Sequence, residues 1–567
     1  MHAPRPLRPS ALLLLAVLAL PLAAAAAGGG EFDVRAYGAV GDGRTPDTAA
    51  INRAIDAAAA AGGGTVVFPA GTYASYSVHL RSNLTLRLDA GATLLAAPPP
   101  PAGAPGGYDA PEPNPWDKYQ DFGHSHWHNS LIWGENLENV AIVGPGRIFG
   151  RGLSRGQGRQ DPLPGEPPPP RPTGAAAQPS PDAARAPGAG ASGAAADPER
   201  PFGYPSPADT LPAGVGNKSI ALKNCRNVTL RDFTIYHGGH FGILALATDN
   251  LTIDNLRIDT NRDGMDLDCC QDVRVANCTV NSPTDDGICL KSCFGLGYVR
   301  GCENVTITNC QVSGYEEGSL LDGTRKRTPR DRGGPTGRIK LGTEANGGFK
   351  NIAISNCVFD FCRGLALEEV DGGAMENISI SNLTMRDIVN APIFVRLGAR
   401  GRGPDQPPIG AARRISIANV VAENVSPDHG ILILGLPGHP IEDLRLSNIL
   451  IEYQGGGTAA QAAREVPEGE LEYPEPSRFG IIPAYGLFAR HVRGLILDHV
   501  ELRHVRDDAR PALLLTDVAD AEFTHLKVQA PAGGRALVLR QVQGLDLHDS
   551  PGLPETHRAG STEHDEL

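Results

Sequence analysis

Asp263, Asp285 and Asp286 are the residues of this chain whose type and spacing best suit chemistry. Asp263 lies 13 residues after Asn250, and Asp285 lies 13 residues after Asp272, with Asp286 next to it. Asn250 and Asp272 open two copies of one short repeat, so equal offsets place the three carboxyl groups on one face. Aligned instead on the glycine that follows each acid, Asp263 matches Asp286. Crowded carboxyl groups repel one another, and at least one then holds its proton to higher pH. A site with one protonated and one ionised acid can protonate a leaving oxygen while activating water, which is the division glycoside hydrolysis needs. The same spacing also fits a solvated acidic turn or a calcium site.

The repeat extends the cluster. His240 is 13 residues after Asn227, one coil earlier, and Glu317 is 13 after Asn304, one coil later. On the adjoining strand Asp268, Lys291, Lys340 and Glu368 read as equivalent outward positions, with Arg338 and Glu344 in the same stretch. Lys and Arg beside acids serve as ion-pair partners or, in a groove, bind substrate carboxylates, Arg in bidentate fashion. A formal net charge of −13 makes such a local basic patch necessary for any acidic sugar, and it excludes a nucleic-acid partner.

What must position these residues is a repeat of the form polar, apolar-x-apolar-x-Asn-apolar, starting at Asn250, Asp272, Asn304, Asn351, Asn377 and Arg414. Weaker copies start at Asn83, Asn139, Asn227, Asp443 and Gly494. Alternation with period two predicts a half-buried strand in each copy. A second strand follows in Gly264-MDLD, Gly287-ICLK, Gly364-LALE and Gly430-ILIL. Steps of 22 to 26 residues suit one coil of a solenoid, and steps of 32 to 47 are coils with insertions. The reading is all-β: a single-stranded parallel β-helix over residues 31–550. Its recurring Asn (Asn255, Asn277, Asn309, Asn356, Asn382, Asn419, Asn448) stacks as a ladder, and the sequons it creates are by-products of the repeat.

The remaining segments frame that domain. Residues 1–27 have a basic start and a short apolar core, as an export signal does, which predicts a secreted or periplasmic protein with no membrane segment after cleavage. Asp47 to Gly64 predicts a helix capping the solenoid, with Asp47 or Thr48 as N-cap. Residues 154–213, rich in Pro, Ala, Gly and Arg, form an insertion without a packing pattern. A second insertion, about Gly455 to Ser477, is of the kind that walls a groove. Cys278, Cys310 and Cys357 fill an apolar column, while Cys270 and Cys302 fall on adjacent coils where a disulfide is feasible. Residues 551–567 read as a flexible tail. Their terminal His-Asp-Glu-Leu matches a retrieval signal meaningful only in a eukaryote, and otherwise is an accident of the tail. The chain is expected to act as a monomer.

The stretch Asn261-RDGMDLDCCQDVRVANCTVNSPTDDGICLKS resembles the NTDGxD and DD segments of glycoside hydrolase family 28, the polygalacturonase and rhamnogalacturonan hydrolase family of the pectin-lyase-like group. The opening FDVRAYGAVGDG and GGGTVVFPAGTY are similar to that family's N-terminal segment. The resemblance covers roughly residues 31–390 and implies a right-handed solenoid, pectic poly- or oligosaccharide substrates, inversion of configuration and no metal or other cofactor. It implies Asp285 as general acid, with Asp263 and Asp286 holding the water. Two departures stand out. The family's Gly-His-Gly has no counterpart: its slot reads either as Tyr315-EEG or as Gly337-Arg338. The literal Arg338-Ile339-Lys340 then belongs to that coil, and the family's basic-pair coil reads Ala366-LEE. These departures keep open a polysaccharide lyase with Arg338 or Lys340 as base, and a non-catalytic glycan-binding protein.

Overall fold

The structure is a computed structural model and describes residues 1, 30–101, 103–155, 211–327 and 335–567. The expected export signal, but for Met1, and the insertion 154–213, but for its ends, lie outside the described residues.

Each central coil carries three strands. One full turn is Phe241–Leu246, Asp249–Asp254 and Arg257–Asp259. The next is Asp263–Asp268, Gln271–Ala276 and Thr279–Asn281, and each strand pairs in parallel with its counterpart. From Phe349 onward the second and third strands merge into long bent ones, such as Phe349–Asp360 and Ala374–Arg386. The apolar residues of the repeat point inward and stack on their equals. One column runs Ile253, Val275, Ile307, Ile354, Ile380, Ile417, Leu446, Leu497, Phe523 and Leu547. All belong to one continuous core. Each buried aliphatic side chain of this kind contributes roughly 1.5–3 kcal/mol.

The turns are set by residues that tolerate a left-handed backbone. Asn255, Asn277, Asn309, Asn356, Asn382, Asn419 and Asn448 all have φ between 52° and 58°. A short polar side chain makes this conformation affordable. The expected ladder is present in part: Asn382 Nδ2 donates to Asn356 Oδ1 at 2.9 Å, Asn419 to Asn382 at 2.9 Å and Asn448 to Asn419 at 3.1 Å, while Asn255 and Asn277 donate to Asp232 and Asp254. A second ladder uses the residues that open the repeat, from Asn139 on Asn83 to Asn377 on Asn351. Their amides are engaged in the fold.

The helix Thr48–Ala60 covers the N-terminal end, burying Ile51 and Ile55. Asp47 stands at its N-cap without a capping bond; its carboxylate accepts instead from the backbone N–H of Val40 and Gly41. All ten cysteines are buried free thiols, so Cys270 and Cys302 are not bridged, and the Cys278, Cys310, Cys357 column is part of the core. The C-terminal residues depart from expectation. Thr556–Glu566 is a strand that pairs antiparallel with Leu537–His548. The last coil would otherwise leave an open sheet edge, and this strand satisfies its backbone groups. Among the described residues no helix is long and apolar enough to cross a membrane.

Candidate active site

The first strands of successive coils form one face: Phe241–Leu246, Asp263–Asp268, Ile288–Ser292, Ile339–Ala345 and Leu365–Glu369. Met265 pairs with Ile288 and Ile288 with Ile339, so Asp263 is level with Asp286. The glycine alignment is therefore the correct one. The coil after the double aspartate carries Arg338-Ile339-Lys340, with Ile339 level with Ile288.

One carboxylate oxygen from each of Asp263, Asp285 and Asp286 lies within 4.8 Å of the others. Their surroundings differ. Asp286 is buried and accepts from Arg338 Nε at 2.8 Å, with Lys340 Nζ at 3.1 Å. Burial opposes its ionisation, but the charges of Lys340, Arg338 and Lys291 prevail and hold it well below the usual carboxylate range. Burial raises Asp263 well above its ordinary value, and the neighbouring charges of Asp285 and Asp266 add to this. Asp285 is the open member, with 28% of its side chain exposed, and it pairs with Arg262. The cluster thus sets an acid whose ionisation its neighbours favour, Asp286, against one whose ionisation they oppose, Asp263.

Beside it lies a second group. Asp266 is fully buried, 3.5 Å from His124 Nε2 and 3.7 Å from Lys291 Nζ. Burial raises its pKa to about 6, with Lys291 and His124 opposing. Glu344 binds His124 Nδ1 at 2.9 Å and accepts the Asp121 N–H at 3.0 Å. Although burial alone would raise Glu344, His124 and then Lys291 hold it low. On the other side Glu368 lies 3.6 Å from Lys340 and 3.7 Å from Arg338; burial still pushes it up to about 7. Both oxygens of Asp266 and Glu368, and both polar atoms of the Gln120 side chain, are buried without a hydrogen-bond partner.

The expected row of Asp268, Lys291, Lys340 and Glu368 needs correction. Asp268 does face Lys291, but Lys340 faces Cys289. The register then shifts between Leu290 and Ser292, so that Ser292 pairs with Ala345 and Glu344 is level with Lys291. The extra residues at Gly342 and Thr343 cause this shift. His240 lies on the same face, one coil before Asp263; its Nδ1 is 2.7 Å from the Arg155 carbonyl and its ring meets Phe122 edge-on. Glu317 is not brought into the aspartate cluster: it pairs with Arg155 at 2.7 Å and His237 at 3.3 Å.

Two segments far away in sequence close over the face. Residues 103–131 bring Gln120, Asp121 and His124, anchored by Trp116 against Phe294 and by Asp121 on Arg402. The second insertion brings Tyr473, whose ring faces Lys340 at 5.7 Å, and Glu475, which binds Arg338 and Arg363. Sequence reading missed His124 and Glu475. The crowding of His124, His126, Trp127 and His128 was the available signal for the first, and the insertion itself for the second.

Residues 213–329 match the family described as a right-handed β-helix region, and residues 32–92 match rhamnogalacturonase A/epimerase, pectate lyase-like. The exo-poly-α-D-galacturonosidase of Dickeya chrysanthemi is 28% identical over 271 residues, 45% of this chain and 41% of that protein. Mannuronan C5-epimerase AlgE3 of Azotobacter vinelandii is 65% identical over 43 residues, 8% of this chain and 2% of that protein. The chain thus spans less than half the length of these curated relatives. The exopolygalacturonase of Thermotoga maritima superposes with a TM-score of 0.53 at 20% identity, covering 75% of this chain and 87% of that one. With the coil geometry, these matches make the chain a right-handed parallel β-helix, with a pectate lyase-like segment at its N-terminal end. The acid motifs of its sequence resemble those of glycoside hydrolase family 28.

Proposed function

We propose that this chain hydrolyses glycosidic bonds in galacturonic-acid-containing glycans, acting near chain ends. The observation that carries the reading is the pairing, within 4.8 Å, of an acid whose ionisation is opposed, Asp263, with one whose ionisation is favoured, Asp286. Asp285, the open member, is placed to act as the general acid toward the leaving oxygen. Asp286 takes a proton from the attacking water, and Arg338 and Lys340 keep it ionised to do so. The walls formed by residues 103–131 and the second insertion favour chain ends over chain interiors. The D. chrysanthemi relative is named for exo action on polygalacturonate.

Inverting acid–base pairs stand ~6.5–9.5 Å apart to hold a water, farther than the 4.8 Å envelope of this cluster. Asp285 therefore swings off Arg262 toward the open side when a sugar enters. A lyase reading is weaker. Burial opposes charge on Lys340 and Arg338, yet Asp286 and Glu368 beside Lys340, and Glu475 and Asp286 beside Arg338, keep both cations charged and unable to accept a proton.

The test is product analysis on homogalacturonan, rhamnogalacturonan and short galacturonate oligomers. We expect saturated monomer released with inverted anomeric configuration by proton NMR. Ultraviolet-absorbing unsaturated products, or binding without turnover across the panel, would overturn the reading.

A further inference from the structure

We propose that His499, His525 and Asp498 form a site for a divalent transition-metal ion of the zinc, nickel or copper type, on the outer surface of the C-terminal coils. The site does not depend on the proposed hydrolase activity. It sits at the turn between second and third strands, away from the face that carries the aspartates.

The column in which it sits is the asparagine ladder. Ser447 pairs with Asp498 and Asp498 with Thr524, so Asn448, His499 and His525 occupy one turn position on consecutive coils. Their φ values of 52°, 53° and 54° show that the backbone is unchanged where the residue type changes. Asn356, Asn382, Asn419 and Asn448 pass a side-chain hydrogen bond from coil to coil. At His499 the amides give way to two imidazoles. Their rings stack with centroids 4.1 Å apart and planes 18° from parallel; rotation about each exposed Cβ–Cγ bond turns both Nε2 lone pairs toward a common ion. Both side chains are exposed to solvent, so an ion reaches them without any opening of the fold.

The chemistry of the donors selects the ion. One ligand atom from each of His499, His525 and Asp498 lies within 4.8 Å of the others. Asp498 Oδ1 is 2.6 Å from His499 Nδ1. A carboxylate there accepts a hydrogen bond from Nδ1–H and presents Nε2 to an ion, the arrangement that orients metal-binding histidines. Two imidazoles favour zinc, nickel or copper over calcium or magnesium, which need oxygen donors. The next rung is Asp549, since Thr524 pairs with His548, and it places a further oxygen donor one coil on. Bound metal would add a side-chain link between coils already joined by backbone pairing.

The experiment is calorimetric titration of zinc into untagged, chelator-stripped full-length protein, compared with the double variant His499→Asn/His525→Asn. Asparagine is the ladder's own residue, suits the positive φ and restores the amide chain, so the variant keeps its fold; an unchanged metal-free melting curve checks this. We expect zinc binding in the parent, weakened by roughly tenfold or more in the double variant and also in Asp498→Asn. Copper(II)-loaded parent should show nitrogen splitting from two imidazoles in its electron paramagnetic resonance spectrum, and the double variant should not. Absence of binding in the parent, or equal affinity and an equal spectrum in the double variant, would overturn the proposal. The second outcome would move the ion to another cluster, such as Asp268, Cys269 and Cys293.

Discussion

Glu475, on the second insertion, places Oε1 2.5 Å from Arg338 Nη2 in the first-strand face. Arg338 is thereby shared between Asp286 and a carboxylate that arrives from 137 residues away. A uronate carboxylate seeking the same guanidinium must displace Glu475, so Glu475 competes with an acidic substrate. Glu475→Gln should lower KM for galacturonate oligomers by about tenfold, equivalent to ~1.4 kcal/mol, with kcat changed much less. Initial rates over a substrate range check this. An unchanged KM would mean that Arg338 does not contact the substrate carboxylate.

Asp285 and Asp286 are neighbours in sequence but should respond differently to replacement. Asp285→Asn removes the open carboxyl group; activity should fall by roughly 10²–10⁴-fold while the melting temperature holds. Asp286→Asn leaves Arg338 and Lys340 buried beside a neutral amide. Breaking a buried ion pair on one side costs about 3–5 kcal/mol, so this variant should lose both activity and thermal stability. Thermal melts alongside reducing-sugar assays separate the two. Equal stability in both variants would argue against the Asp286 ion-pair network.

The reason the aspartates were legible is that they follow the coil period: Asp263 and Asp286 keep a fixed relation to the glycines of their strands. The asparagine ladder at the turn after the second strand was legible for the same reason, since a positive φ recurring at each turn selects the same residue type. Lys340 was misplaced because the strand Ile339–Ala345 carries extra residues that no periodic pattern announces. His124 and Glu475 were missed because they reach the face from segments outside the repeat, and contact between segments 137 residues apart leaves no local trace. The C-terminal strand was read as flexible because Thr556–Glu566 is polar and lacks alternation, yet its backbone groups alone suffice to pair with the last coil.

Glu368 gives the cleft a pH signature. Its pKa is raised by burial to about 7 from an ordinary 4.5. The folded state therefore binds more protons than the unfolded state between these values. Its contribution to stability is full below pH 4.5 and is lost as pH rises through 7. Asp266, raised by burial to about 6, acts in the same direction. Asp286, held low, has the opposite sign: its contribution is present above the ordinary carboxylate pKa and lost only as pH falls well below it. Glu368→Gln is permanently neutral. It should melt above the parent at pH 8 and show little advantage at pH 4.5. Parallel melting curves across that range would refute the assignment.

Asn382 tests the ladder that spaces the coils. It donates to Asn356 and accepts from Asn419, both at 2.9 Å, and its φ is 57°. Alanine there loses both side-chain bonds and meets the left-handed penalty of roughly 1–2 kcal/mol for a residue with Cβ. Glycine loses the same bonds but not the backbone conformation, because it adopts positive φ readily. Asn382→Ala should therefore destabilise the protein more than Asn382→Gly, with denaturant or thermal melts as the measure. If the side-chain bonds dominate, the two variants converge, and the gap between them reports how much of the ladder's value lies in the turn itself. Two variants as stable as the parent would mean that core stacking alone sets the coil spacing.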